Sequence, residues 1–236
     1  LGIMSDITIK VLPAAETQVT IALAGLDGEQ ATKAMSAALR SSCEVSGAAY
    51  LPASITSLSG VGEVSAAAAS LTILRLEGIA PSVEFRAARL KEIFRGFGET
   101  IRLEEDASRA VWMEVRDVRF LGNDPDRIVW RVSVPPTDGA NVLAAICETG
   151  DVRGFLDWAG GLIWLDMPVS DHGSAQLVRG AFAGTTGHAT LIRAPQALRA
   201  ALPVFEPQMA ALAGLTSRLK DAFDPHGILN PGRIYA

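Results

Sequence analysis

From residue 18 onward the apolar positions of this chain switch repeatedly between two periods. "VTIALAG", from Val19, alternates as a strand does. After it, Ala31, Ala34, Met35, Ala38 and Leu39 fall on one face of a helix opening at Asp27, with Asp27 and Gln30 in capping-box positions. Strand "VSGAAYL", a Ser-, Gly- and Ala-rich connection and strand "LTILRLEG" follow. Pro81 and Ser82 start a second helix with Val83, Ala87, Leu90 and Phe94 as its stripe, and "GETIRLE" ends the unit. A helix over 105–117 leads to a second round. Strand "IVWRVSVP" precedes a helix with Leu143, Ile146 and Cys147 inward, and strands "GFLDWA" and "LIWLDM" turn at Gly160-Gly161. A helix from Asp171, with Val178, Ala181 and Phe182 apolar, ends by Gly184 and Gly187, and strand "HATLIRA" closes the set.

The order βαββαβ, read twice, predicts an α+β fold: a duplicated ferredoxin-like cap with one antiparallel sheet of about eight strands. Helices are expected on one face. The other face is too apolar to meet water and is expected to be covered by something else. Past Pro195 an amphipathic helix with Leu212, Leu215, Leu219 and Phe223 delivers the chain to a hook, "FDPHGILNPGRIYA". At the start, "LGIMSDITIKVLP" reads as a strand of β-branched residues with no partner nearby, as in a piece cut from a longer protein.

Composition narrows the possible functions. The net charge of -5 argues against a nucleic-acid partner, and the longest uncharged stretch, Val45 to Gly62, is broken by Pro, Gly and Ser, so no transmembrane span is expected. Cys43 and Cys147 form no framework and read as buried thiols of a reducing compartment. His172, His188 and His226 lack ligand spacing, so no metal is expected, and there is no GxGxxG or P-loop. By strand parity Val129, Arg131 and Ser133 share one face, opposite the helix-packed Ile128, Trp130 and Val132, while His188, Thr190 and Ile192 lie opposite Ala189, Leu191 and Arg193. The tryptophans at 112, 130, 158 and 164 read mostly as core, with Trp164 the one suited to line a cavity, and Asp157 reads as a partner for an arginine.

The closing "LKDAFDPHGILNPGRIY" resembles the terminal signature of FAD-linked oxidases of the vanillyl-alcohol-oxidase type, with Lys220, Asp224, Pro225, Asn230, Pro231 and Gly232 on the motif. "VWMEVRD", "WRVSVPP", "DWAGGLIWL" and "GHATLIRAP" are similar to the flavoprotein E subunits of bacterial glycolate oxidases within it. The resemblance implies three parts: 1–13 as the last strand of an FAD-binding domain lying outside this chain, 14–194 as the substrate (cap) domain, and 195–236 as an arm returning to the flavin. It implies an FAD-dependent oxidation of a small 2-hydroxy acid, glycolate to glyoxylate with hydride passing to flavin N5. FAD is then held mainly by the other domain, and this chain alone binds it weakly or not at all.

A substrate carboxylate needs a cation and its hydroxyl a polar group, which makes Arg131 and His188 the first candidates, with Arg116 and Arg193 as substitutes. Asn230, Pro231 and Gly232 are implied to approach the cofactor. Implied partners are a larger flavoprotein subunit and an iron-sulfur subunit, in the cytoplasm or peripheral to the inner membrane through that complex. Two other readings stand beside this one: an assembly subunit that docks the larger flavoprotein, and a stand-alone ferredoxin-like small-molecule sensor.

Overall fold

The computed structural model describes residues 4–11, 13–170 and 173–231. Eight strands form a single antiparallel sheet: β1 (Thr17–Ala24), β2 (Gly47–Leu51), β3 (Leu71–Gly78), β4 (Thr100–Leu103), β5 (Arg127–Ser133), β6 (Arg153–Asp157), β7 (Leu162–Pro168) and β8 (His188–Arg193). They lie side by side in the order β4-β1-β3-β2-β6-β7-β5-β8, so the first four and the last four repeat one arrangement in mirrored order about the β2–β6 seam. Helices α1 (Gly28–Leu39) and α4 (Ala80–Phe94) connect strands of the first half, and α6 (Gly139–Cys147) and α7 (Gly173–Gly180) those of the second. Asp27 caps α1 as expected, its carboxylate accepting from the Gln30 amide at 2.8 Å.

Alternation decides which side chains meet which layer. Ile21, Leu23, Leu74, Trp130, Val132, Ile163 and Leu165 pack with the stripes of α1, α4, α6 and α7 in one core. Ala22, Ala49, Ile73, Leu103 and Phe155 face the other way, into a second core. That second core corrects the expectation of helices on one face only. Helix α5 (Glu105–Asp117) lies across β1 with Val111, Trp112 and Val115 buried, and two short helices, α2 (Ala53–Thr56) and α3 (Gly62–Ser65), add Ile55 and Val64. Phe120 and Leu121 complete the cover. Each large side chain so buried contributes about 1.5–3 kcal/mol. A buried polar chain fastens α5 to the sheet: Ser108 Oγ meets Gln18 Nε2 at 2.9 Å and Thr20 Oγ1 at 2.7 Å, and Trp112 Nε1 donates to Thr20 Oγ1 at 2.9 Å. The periodicity of 105–117 shows an apolar stripe, but not the side of the sheet that receives it.

Four smaller corrections follow from pairing and packing. Residues 4–11 form no strand; Ile7, Ile9 and Val11 are exposed and no neighbour pairs with them among the described residues. The β6–β7 turn takes in Trp158 and Ala159 as well as the glycines, because Trp158, Ala159 and Gly160 all have positive φ (50°, 55° and 102°). Helix α7 ends at Gly180 rather than at Gly184, and Asp171 and His172 lie outside the described residues. A short helix, α8 (Gln196–Ala201), precedes the terminal α9 (Ala210–Phe223), on which no residue is buried. Leu212, Leu215, Leu219 and Phe223 form the expected stripe, and all four are exposed. Both thiols are free, Cys43 buried and Cys147 partly so, the latter's pKa pushed up by burial. No helix among the described residues is long and apolar enough to cross a membrane.

Candidate functional site

Helix α5 and its neighbours cover the first half of the sheet's second face and leave part of the second half open. Register places the side chains there in rows. Asp157, Leu162, Ser133 and His188 make one row across β6, β7, β5 and β8, and Phe155, Trp164, Arg131 and Thr190 make the next. Arg131 and His188 are therefore diagonal neighbours on one face, a separation of roughly 7–8 Å between their backbones. The guanidinium of Arg131 sits 5.8 Å from the Trp158 ring centre and 5.9 Å from that of Trp164. It has no carboxylate and no hydrogen-bond acceptor among the described residues. Trp158, 64% exposed, stands at the tip of the turn with its backbone in the left-handed region, a strained setting for a bulky residue. A half-buried cation between two aromatic rings, its donors unspent, is suited to a planar carboxylate.

Trp158 also lines a cavity of about 700 Å³ between α5 and the start of β2, which Arg131 does not line. Trp112, Met113, Leu39 and Val45 supply apolar lining, and Arg75, Arg109 and Arg116 supply cations. Arg75 stacks on Trp112, 5.0 Å from the ring centre. Asp157 is the carboxylate in this lining; it accepts from the Trp158 amide at 2.8 Å, and burial pushes its pKa up. No arginine among the described residues lies within ion-pair distance of it, and the partner expected from sequence is present only as the nearby charge of Arg75, which works against the effect of burial. Arg75 and Trp158 were missed there, although an arginine inside the apolar run "LTILRLEG" and a tryptophan just before Ala-Gly-Gly were the signals available.

The remaining candidates separate. Arg116 rides on α5, paired with Asp117 at 2.7 Å, and borders the cavity rather than the Arg131 face. Arg193 departs from the parity expected of β8, because the β5–β8 register shifts between Val129 and Trp130; it pairs with Val129 and donates to the Gly122 carbonyl. Asn230 and Pro231 are exposed, and Gly232 lies outside the described residues. The hook that carries them is ordered by Asp224, a residue of the motif. Its carboxylate accepts from the amides of Ile228 at 3.0 Å and Leu229 at 2.9 Å, and Lys220 Nζ lies 3.2 Å away.

These bonds, the Leu229 amide first, hold the Asp224 pKa below the usual carboxylate range. A group depressed in the folded state contributes stability above its unfolded pKa, near 3.9, and loses it as pH falls through the lower folded value. Hydrogen-exchange protection of the Ile228 and Leu229 amides should therefore hold down to about pH 4 and fall below it. Asp224→Ala should abolish that protection at every pH.

Comparison with known proteins agrees with this architecture. Residues 205–234 match the family of FAD linked oxidases, C-terminal domain. The solved structure of p-cresol methylhydroxylase with substrate bound superposes with a TM-score of 0.57 at 12% identity, over 94% of this chain and 53% of that one. An alkyldihydroxyacetonephosphate synthase superposes at 0.55 and 12%, over 94% and 46%. A 4-ethylphenol oxidase from Gulosibacter chungangensis gives 0.56 and 11%, over 95% and 55%. The match to that family takes in the terminal hook, and the fold is the one these solved structures share. Among curated proteins, the glycolate oxidase subunit GlcE of Escherichia coli (strain K12) is 30% identical over 165 residues, 69% of this chain. The chain spans 38% of that subunit's length and about half of the solved structures named.

The described residues offer a place for one part of a flavin nucleotide. Two tryptophan rings beside an unpaired guanidinium on open sheet suit a flat ring and an acid. A helix N-terminus is a ready site for a pyrophosphate. Here the α1 N-terminus is closed by its own capping box, and α4 opens on Ala80-Pro81.

Proposed function

We propose that this chain is the cap and C-terminal portion of an FAD-dependent 2-hydroxy-acid oxidoreductase subunit of the glycolate-oxidase type, with its dinucleotide held chiefly by protein outside these 236 residues. The single observation that carries the reading is Arg131, a cation without a carboxylate partner, between Trp158 and Trp164 on the open part of the sheet. Oxidation of the α-carbon, glycolate to glyoxylate, is the chemistry that flavin supplies when bound. The chain's own residues hold the acid and shield it. Arg131 takes the substrate carboxylate in a two-pronged grip, His188 and Thr190 offer polar contacts beside it, and the two indoles exclude water. The resemblance to the glycolate oxidase subunit GlcE supports a place in a multisubunit oxidase, and the partners we propose for it are a larger flavoprotein and an iron-sulfur subunit. The exposed stripe of α9 favours a second reading, in which the chain serves chiefly to assemble that complex.

One experiment separates the two. In the full-length enzyme assembled with its partners, flavin reduction by glycolate is followed after Arg131→Gln. Loss of a charge-assisted pair of about 1.5–3 kcal/mol raises KM by roughly 10- to 100-fold, with partial recovery in Arg131→Lys. Unchanged turnover and KM would leave assembly as the function.

A further inference from the structure

The cavity behind Trp158 holds more cationic capacity than its surroundings use. Arg109 commits Nε and Nη2 to Glu105 Oε1, at 3.0 and 2.7 Å, and Arg116 commits Nε and Nη2 to Asp117, at 2.7 and 3.2 Å. Arg75 directs Nε to Ser46 Oγ at 3.0 Å and to Glu77 at 3.0 Å, and Nη2 to the Ser46 carbonyl at 3.2 Å. In all three the Nη1 nitrogen has no partner among the described residues. None of the three balancing carboxylates lines the cavity; the one that does, Asp157, accepts from the Trp158 amide at 2.8 Å. Trp112, Met113, Leu39 and Val45 supply an apolar wall, and about 700 Å³ is the size of a small-molecule site. A two-carbon acid would leave most of that space empty.

We infer that this cavity, which Arg131 does not line, is a binding site for an organic anion with an apolar body whose acid group is received by Arg109 or Arg116, two turns apart on α5, and whose body lies along Trp112. The wall it shares with the other site is Trp158, so occupancy is readable in the fluorescence of that exposed indole. The donors are guanidinium groups open to solvent, so binding is screened by salt and depends on the apolar contact as well as on charge. Inorganic phosphate, which has charge but no apolar body, is a poor ligand by this account.

The test uses the 236-residue protein with phenylacetate and inorganic phosphate as probes, read by calorimetry and by tryptophan emission. Phenylacetate should bind and change the emission, phosphate should bind at least tenfold more weakly, and the Arg109→Gln/Arg116→Gln double variant should weaken phenylacetate at least tenfold. Arg119→Gln is the matched control: it removes an exposed arginine that shares Asp117 but does not border the cavity, and it should change nothing. Equal affinity in the double variant, no binding of phenylacetate, or phosphate binding as tightly as phenylacetate would each overturn the inference. Binding abolished by Arg131→Gln but indifferent to the double variant would overturn it too, while leaving the proposed carboxylate site standing.

Discussion

Replacing Asp166 by alanine should cost about 3–5 kcal/mol and lower Tm by about 10 °C, the largest effect expected of any single charge in the chain. Asp166 has no exposed surface, and its carboxylate is gripped from two strands. Arg153 on β6 reaches Oδ1 at 3.0 Å and Oδ2 at 2.7 Å, and Arg127 on β5 reaches Oδ1 at 3.0 Å. Without the carboxylate, Arg127, itself only 8% exposed, keeps Asp151 at 2.7 Å but loses its buried counter-charge, and its Nε already lacks an acceptor. The cost is that of an uncompensated buried cation more than of one lost bond. Asp151→Ala removes an exposed partner of the same arginine and should cost no more than about 1 kcal/mol. Thermal unfolding of the two variants checks both statements; equal Tm losses would show that Asp166 does not anchor the cluster.

Gly139→Ala should be the most damaging of the glycine substitutions, because the added carbon would lie inside van der Waals contact of the Gly160 carbonyl oxygen. That neighbour is backbone, and Gly160 is itself confined: a side chain there would meet the Pro136 oxygen at 2.6 Å. Neither partner can step aside, so either α6 or the 158–161 turn must move. Overpacking of this kind costs about 1–3 kcal/mol. The same displacement carries Trp158 away from Arg131, so a red shift of tryptophan emission should accompany the loss of stability. Gly214→Ala is the contrasting case. It lies within α9 with nothing within 4 Å, and it should be neutral or stabilising by up to about 1 kcal/mol. If Gly139→Ala unfolds like the wild type with unaltered emission, the turn is looser than its packing implies.

Much of this fold is written in the periodicity. All eight strands and the longer helices between them, though not α2 and α3 in the Ser-, Gly- and Ala-rich connection, follow from where the apolar spacing changes from two residues to three or four, since a sheet with one helix-packed face leaves that imprint. What does not leave an imprint is the partner of a stripe. Val111, Trp112 and Val115 announce an amphipathic helix equally well whether α5 lies on either side of the sheet or against another protein. Arg131 and His188 could be set on one face by counting in twos, and the register agrees. Arg193 could not, because a bulge shifts the count by one and nothing in "HATLIRA" marks it. The Arg75 cavity was out of reach for a different reason: its walls come from β2, β3, α5 and the β6–β7 turn, which only the assembled sheet brings together.

The seam between the halves opens onto the cavity. Main-chain register joins β2 to β6 through the single pair Tyr50 and Leu156, whereas β1–β3 and β5–β7 are laddered along their lengths. On the helical side, α1 meets α6 where Gly28 allows Ala140 close, and on the other side Phe155 of β6 shares the second core with Ala49 and Leu51 of β2, so the joint is open only toward the start of β2. That end is where Ser46, Gly47, Asp157 and Trp158 border the cavity. A ligand seated there would touch both halves at once, β2, β3 and α5 of the first and the 157–159 turn of the second.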